Sequence, residues 1–94
     1  MEVSPRLSRW ISASFPTASA PVVLQQLAAL TESTIGGQDP ERIQAAMVLD
    51  THGSHEAFRQ RLELARIDWR DLLVGAGLAN EDWPRRLDAL LGEQ

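Results

Sequence analysis

The 94-residue chain contains no cysteine, no tyrosine and no lysine. Without cysteine it has no disulfide framework, no thiolate zinc site and no cysteine nucleophile. The absence also fits a reducing compartment, and we expect the cytoplasm. All nine basic residues are arginine. Together with the many alanines, this favours a GC-rich bacterial genome as the explanation over a function that needs arginine.

The sequence also lacks a long hydrophobic run. No stretch approaches the roughly 18 apolar residues of a membrane span, so no membrane association is expected. Ala18-Ser19-Ala20 resembles a signal-peptidase site. The apolar segment before it is short, however, and is interrupted by Ser12 and Ser14, so a secretory signal is not predicted.

The chain has fewer basic residues (9) than acidic residues (13). The net charge is −4, and no basic stripe of the kind that contacts phosphates is present. Nucleic acid is therefore not an expected partner. A helix-turn-helix in the second half of the chain is the least favoured alternative, because Asp68 and Asp71 would approach the phosphates.

Capping residues and prolines predict where helices begin. Ser4-Pro5 and Asp39-Pro40 each place a capping side chain before a proline at the first helical position. The first helix should end near residue 15, because Pro16 disfavours helical geometry before it. Pro21 opens a second helix that should run to Gly36-Gly37.

Similar signals mark the helices of the second half. Gly53 ends the third helix and Ser54 caps the fourth. Asp68 begins a short fifth helix, which Gly75 and Gly77 close. A sixth helix starts between residues 80 and 84 and ends at residue 92.

No segment alternates polar and apolar residues as a half-buried strand would. We therefore predict an all-α fold, a compact bundle of five or six short helices. Residues 1–94 form one domain, with an N-terminal helix over 1–15 and a main helical unit over 21–92. A linker separates the two, so the first helix is also able to dock on another chain.

One cluster of potential metal ligands is present. Asp50, His52 and His55 lie close together in sequence, around Gly53. Histidines three residues apart share a metal when one helical turn carries both, but a glycine and a serine interrupt the helix here. A polar loop is the favoured interpretation, and a metal or small-ligand site is the alternative.

Other catalytic signals are missing. No serine stands in a GxSxG elbow, and no glycine-rich phosphate loop follows a strand. A chain of this size also has little room for a substrate pocket. We expect no enzyme activity and no cofactor.

Tryptophan and arginine provide the candidates for recognition, because both are enriched at binding hot spots. Each tryptophan of the second half has acidic and arginine neighbours. A core position is nevertheless the favoured interpretation for these indoles, because a small domain with few aromatic residues needs them to fill its core. The candidate partner-binding residues are Trp10, Trp69, Arg70, Trp83, Arg85 and Arg86.

Part of the chain resembles a pattern in small uncharacterised bacterial proteins from GC-rich genomes. The resemblance rests on Glu41-Arg42-Ile43-Gln44-Ala45-Ala46, on Asp68-Trp69-Arg70-Asp71-Leu72-Leu73-Val74, and on the following Ala76-Gly77-Leu78 and Asp82-Trp83-Pro84. It covers about residues 40–92. It implies an intact helical unit and no particular chemistry.

The sequence thus predicts a small, non-catalytic helical domain that binds another protein or associates with itself. Small domains often supplement a thin core in this way. The first helix, which carries Trp10, is the element most suited to a partner.

Overall fold

Helix α1 (Pro5–Ser14) begins and ends where the sequence predicts. The hydroxyl of Ser4 accepts a hydrogen bond from the backbone N–H of Leu7 (3.3 Å), and Phe15 is extended in front of Pro16. This computed structural model describes residues 1–92, so the last two residues of the predicted domain lie outside the described residues.

The second predicted helix is divided in two. Helix α2 (Ala20–Ala28) ends early, and a single turn, α3 (Glu32–Ile35), follows before Gly36 adopts a left-handed conformation (φ 62°). Thr31 between them is extended, and its hydroxyl lies 3.0 Å from that of Ser33. The prediction of one continuous helix was wrong, because Thr31 leaves helical geometry and occupies the N-cap position of a new helix, where threonine is favoured.

Helix α4 (Pro40–Val48) lies at the centre of the molecule. Asp39 caps it by accepting a hydrogen bond from the backbone N–H of Arg42 (3.2 Å). Every residue from 43 to 48 is buried. Even Gln44 is enclosed, and its Nε2 donates to the carbonyls of Glu2 (3.3 Å) and Leu27 (3.4 Å).

The predicted fourth and fifth helices follow each other directly, with a kink at Asp68 where the first ends and the second begins, and we label them together as α5 (His55–Ala76). Ser54 caps its start. At the kink, Asp68 leaves helical geometry (φ −155°, ψ 90°), and its carboxylate accepts hydrogen bonds from the backbone N–H groups of Arg70 and Asp71. The predicted capping role of Asp68 is confirmed.

Helix α6 (Trp83–Leu91) follows Gly77, which ends α5 in a left-handed conformation. Gly75, also predicted to end the helix, lies inside α5. Helix α4 packs on α1, α5 and α6, α3 packs on α5, and α2 packs on α1. Residues 1–92 contain helices and no strand, which confirms the all-α fold. None of these helices has the length and apolar character needed to cross a bilayer.

Helix α1 packs within its own chain. Leu7 and Ile11 are fully buried in the common core. That face of α1 is therefore occupied, and the apolar side chain that α1 leaves partly accessible is Trp10. The buried apolar residues of the core are Leu7, Ile11, Phe15, Ala20, Val23, Leu27, Leu30, Ile35, Ile43, Ala45, Ala46, Met47, Val48, Leu49, Phe58, Leu62, Ala65, Leu72, Leu73, Leu78 and Leu87.

Candidate functional site

A groove of about 600 Å³ lies where α1, α6, the end of α5 and the loop between α4 and α5 meet. We call it the α1–α6 groove. It brings together two predicted partner-binding residues, Trp10 and Arg86, and two of the weak metal candidates, Asp50 and His52. Its lining residues are Trp10, Ser14, Leu49, Asp50, His52, Ala76, Arg86 and Leu90.

The loop that contributes Asp50 and His52 has an unusual backbone. Both residues have positive φ, 66° and 53°, and Gly53 follows at 76°. Such a conformation is costly for residues other than glycine and persists only where the surroundings impose it. The loop thus presents two polar side chains to the groove at some cost in stability.

Contacts on both sides hold this loop in place. Thr51 is buried, and its hydroxyl donates to the carbonyl of Val48 (2.6 Å). Gly53 lies against the carbonyl of Ser14 so closely that a Cβ there would collide with it. The loop is therefore fixed to the C-terminal end of α1, which forms one wall of the groove.

Two opposite charges line the groove without pairing. The guanidinium of Arg86 lies along Gly77, where an added Cβ would stand 3.2 Å from its Nη2. Within residues 1–92, the side chains of Arg86 and Asp50 form no hydrogen bond or ion pair, either with each other or with another residue of that range. Both remain available to a binding partner.

The apolar side chains of the groove become more exposed from its floor to its rim. Leu49 is buried, Trp10 is partly buried, and Leu90 on α6 is 51% exposed. Together these three side chains give the groove an apolar surface that extends from its floor to its edge. The sequence places Leu90 with Leu87 among the apolar residues of the sixth helix and gives no signal that it lies at the edge of a groove.

A set of hydrogen-bonded charges fixes the helices that form the groove. The Arg6 guanidinium donates to both oxygens of Glu41 (2.8 and 2.6 Å), to Asp88 (2.6 Å) and to the carbonyl of Gly92 (2.6 Å). Ser4 also donates to Glu41 (2.5 Å). We call these five residues the Arg6 latch. It joins α1 to α4 and α6, and sequence patterns did not reveal it.

The latch shifts the pKa values of Arg6 and Glu41. Hydrogen bonding to Arg6 holds the pKa of the Glu41 carboxyl below its ordinary value, despite partial burial. The same contact, with that to Asp88, raises the pKa of the Arg6 guanidinium. Both side chains are mostly buried (15% and 21% exposed), so each stabilises the charged form of the other.

Trp69 and Arg70, also predicted as partner-binding residues, lie outside the groove. The Arg70 guanidinium covers the Trp69 ring at 4.9 Å from its centroid. The indole also lies directly over Gly36, where a Cβ would collide with it. Trp69 is therefore only partly accessible and serves to pack α3 against α5.

Trp83 has a different partner from the one its sequence neighbours suggest. The guanidinium of Arg42 lies over its ring (5.2 Å), held by hydrogen bonds to the carbonyl of Leu78 and to Gln38 (both 2.9 Å). Arg85 is exposed and does not line the groove. Because Arg42 is distant from Trp83 in sequence, no local signal indicated this contact.

The three weak metal candidates, Asp50, His52 and His55, do not form a three-ligand group. Within residues 1–92, no group of three or more histidine, cysteine, aspartate or glutamate side chains is placed to hold a metal ion. His55 instead stacks on Phe58 (6.3 Å between ring centroids, 17° between planes), apart from the residues of the groove. Asp50 and His52 remain together as lining residues of the groove.

Comparisons of the chain with protein-family models, with curated proteins and with solved structures found no match. The function has to be inferred from the groove itself.

Proposed function

We propose that this chain is a small, non-catalytic protein-interaction domain that binds its partner in the α1–α6 groove. The observation that carries the proposal is the combination, in one groove, of half-exposed Leu90 with Arg86 and Asp50, whose charges are unpaired within residues 1–92. Apolar surface gives a partner binding energy, and unpaired charges give it orientation.

The residue types support recognition. Tryptophan and arginine dominate binding hot spots, since each offers a large contact area together with a polar group. Trp10 and Arg86 both line this groove. An apolar side chain of the partner would contact Trp10 and Leu90, while its polar groups meet Arg86 and Asp50.

The supports of the groove also favour binding. The Arg6 latch connects α1 to α6, and the 50–53 loop is fixed between buried Thr51 and the Ser14 carbonyl. A surface that is already ordered loses little entropy when a partner binds.

The groove contains a serine, a histidine and an aspartate, the residue types of a hydrolytic triad. Within the described residues, however, no hydrogen bond joins Ser14, His52 and Asp50. A triad needs the nucleophile bonded to the histidine and the histidine bonded to the acid. Binding without catalysis is the simpler use of this surface.

For location, we propose the cytoplasm of a bacterium with a GC-rich genome. A chain without cysteine and with arginine as its only basic residue is compatible with both.

Site-specific photocrosslinking in cells that express the chain tests the proposal. A benzophenone amino acid at position 90 should give a discrete adduct, and Trp10→Ala should abolish it. Position 67 is the matched control, because Ile67 is apolar and 75% exposed but does not line the groove. Adducts of equal yield from both positions, or none from position 90, would contradict the proposal.

A further inference from the structure

We infer that the partner is a second copy of this chain, and that two copies join groove to groove about a two-fold axis. Leu90 of each copy enters the groove of the other, and Arg86 of each pairs with Asp50 of the other. This inference rests on the proposed function, because it names the occupant of the same groove.

The first argument is that the charges of the groove complement a copy of the same groove. In a two-fold interface the same patch faces itself, so every contact occurs twice. A patch with charge of one sign would repel its copy. The α1–α6 groove has one basic and one acidic side chain, Arg86 and Asp50, on different elements and unpaired within residues 1–92. A two-fold axis between them pairs both charges at once.

The second argument concerns Leu90. Among residues 1–92, the large apolar side chains that are exposed are Val22, Ile67, Val74 and Leu90, and only Leu90 lines the groove. In the two-fold arrangement it is both a projecting side chain and part of the receiving surface. Each Leu90 then packs against Trp10 and Leu49 of the other copy, and this contact removes its apolar surface from water.

Net charge does not oppose this contact strongly. Each chain carries −4 in total. At physiological ionic strength the screening length is about 8 Å, so distant charges contribute little and pairs within the interface dominate. An unrelated partner would need an acidic group to pair with Arg86 and a basic group to pair with Asp50. A second copy provides both, as its own Asp50 and Arg86.

A charge-exchange experiment tests the inference. In a two-fold dimer, Arg86→Glu sets a carboxylate against that of Asp50 twice, and Asp50→Arg sets a guanidinium against that of Arg86 twice. We expect each variant alone to raise the dimer Kd about tenfold or more. An equimolar mixture forms heterodimers in which each copy again meets charge of the opposite sign, so the dimer Kd should return to within about threefold of wild type.

Multi-angle light scattering and sedimentation over the micromolar range give the Kd, and circular dichroism confirms that each variant is folded. Leu90→Glu provides a second test that leaves the strained loop intact, and it should abolish the dimer. Ile67→Glu is its matched control and should leave the dimer unchanged.

A wild-type chain that is monomeric throughout this range, or a mixture that does not recover the dimer, would overturn the inference. The photocrosslink at position 90 separates this failure from failure of the proposed function. An adduct with a different protein refutes self-association and retains the groove as a binding site, whereas no adduct refutes both.

Discussion

The Arg6 latch and the α1–α6 groove both include residues of α1 and α6, but within residues 1–92 the charged side chains of the latch are paired and those of the groove are not. In the latch, one guanidinium binds two carboxylates and a carbonyl within its own chain. In the groove, Arg86 and Asp50 have no such partner within residues 1–92. Charges that bind each other contribute to folding, and charges that do not are available for recognition. Changing one residue in each region tests this division.

The largest difference should come from removing one arginine at a time. Arg6→Ala should lower the free energy of unfolding by about 2 kcal/mol, because it removes charge-assisted hydrogen bonds and leaves mostly buried Glu41 without its main partner. Arg86→Ala should change it by no more than about 0.5 kcal/mol, because Arg86 is exposed and pairs with no other described residue. Urea unfolding followed by circular dichroism measures both.

Binding should respond in the reverse order. Arg86→Ala should weaken association while the fold persists, whereas Arg6→Ala should act on association only through stability. Equal losses of stability in the two variants would remove the distinction between latch and groove.

Acid should destabilise the fold by protonating Glu41 of the latch. The folded-state pKa of Glu41 is lowered, chiefly by its hydrogen bond to Arg6. The resulting stabilisation is complete above the ordinary glutamate pKa of about 4.3 and is lost as the pH falls through the lower folded-state value. Wild-type stability should therefore fall below about pH 5 more steeply than that of Glu41→Gln.

Thermal unfolding of both proteins across this range measures the effect. Glu41→Gln is a close control, since an amide oxygen still accepts hydrogen bonds but does not titrate. Parallel curves down to the lowest pH would show that Glu41 does not link protonation to folding.

The same two regions show which features of the structure could be predicted from the sequence. Ser4, Asp39 and Ser54 each cap the helix that the sequence assigned to them, because a cap depends on residues within one turn. The break at Thr31 was missed, although threonine is among the residues favoured at the N-cap of a helix. The Arg6 latch joins residues more than thirty positions apart, and no local pattern carries that information.

The groove was predictable only in part. Residue type alone selected Trp10 and Arg86, and a metal hypothesis selected Asp50 and His52, for a reason that the geometry does not support. That these four side chains share one surface depends on the packing of α1, α5 and α6. Packing of distant elements determines such a site, so the sequence identifies some of its residues without showing that they lie together.

The smallest expected effect concerns the strained loop of the groove. Asp50→Gly should stabilise the fold by about 0.5 kcal/mol, because relief of a left-handed conformation (φ 66°) exceeds the added flexibility of glycine in the unfolded chain. The same change removes the carboxylate proposed to meet Arg86 of a second copy, so association should weaken as stability rises.

Asp50→Asn isolates the effect of the charge, since asparagine tolerates this backbone conformation equally well. It should weaken association with little change in stability. Chemical unfolding and light scattering on the three proteins separate the two effects. If Asp50→Gly proves less stable than wild type, the carboxylate contributes to folding, and the groove differs less from the latch than the contacts indicate.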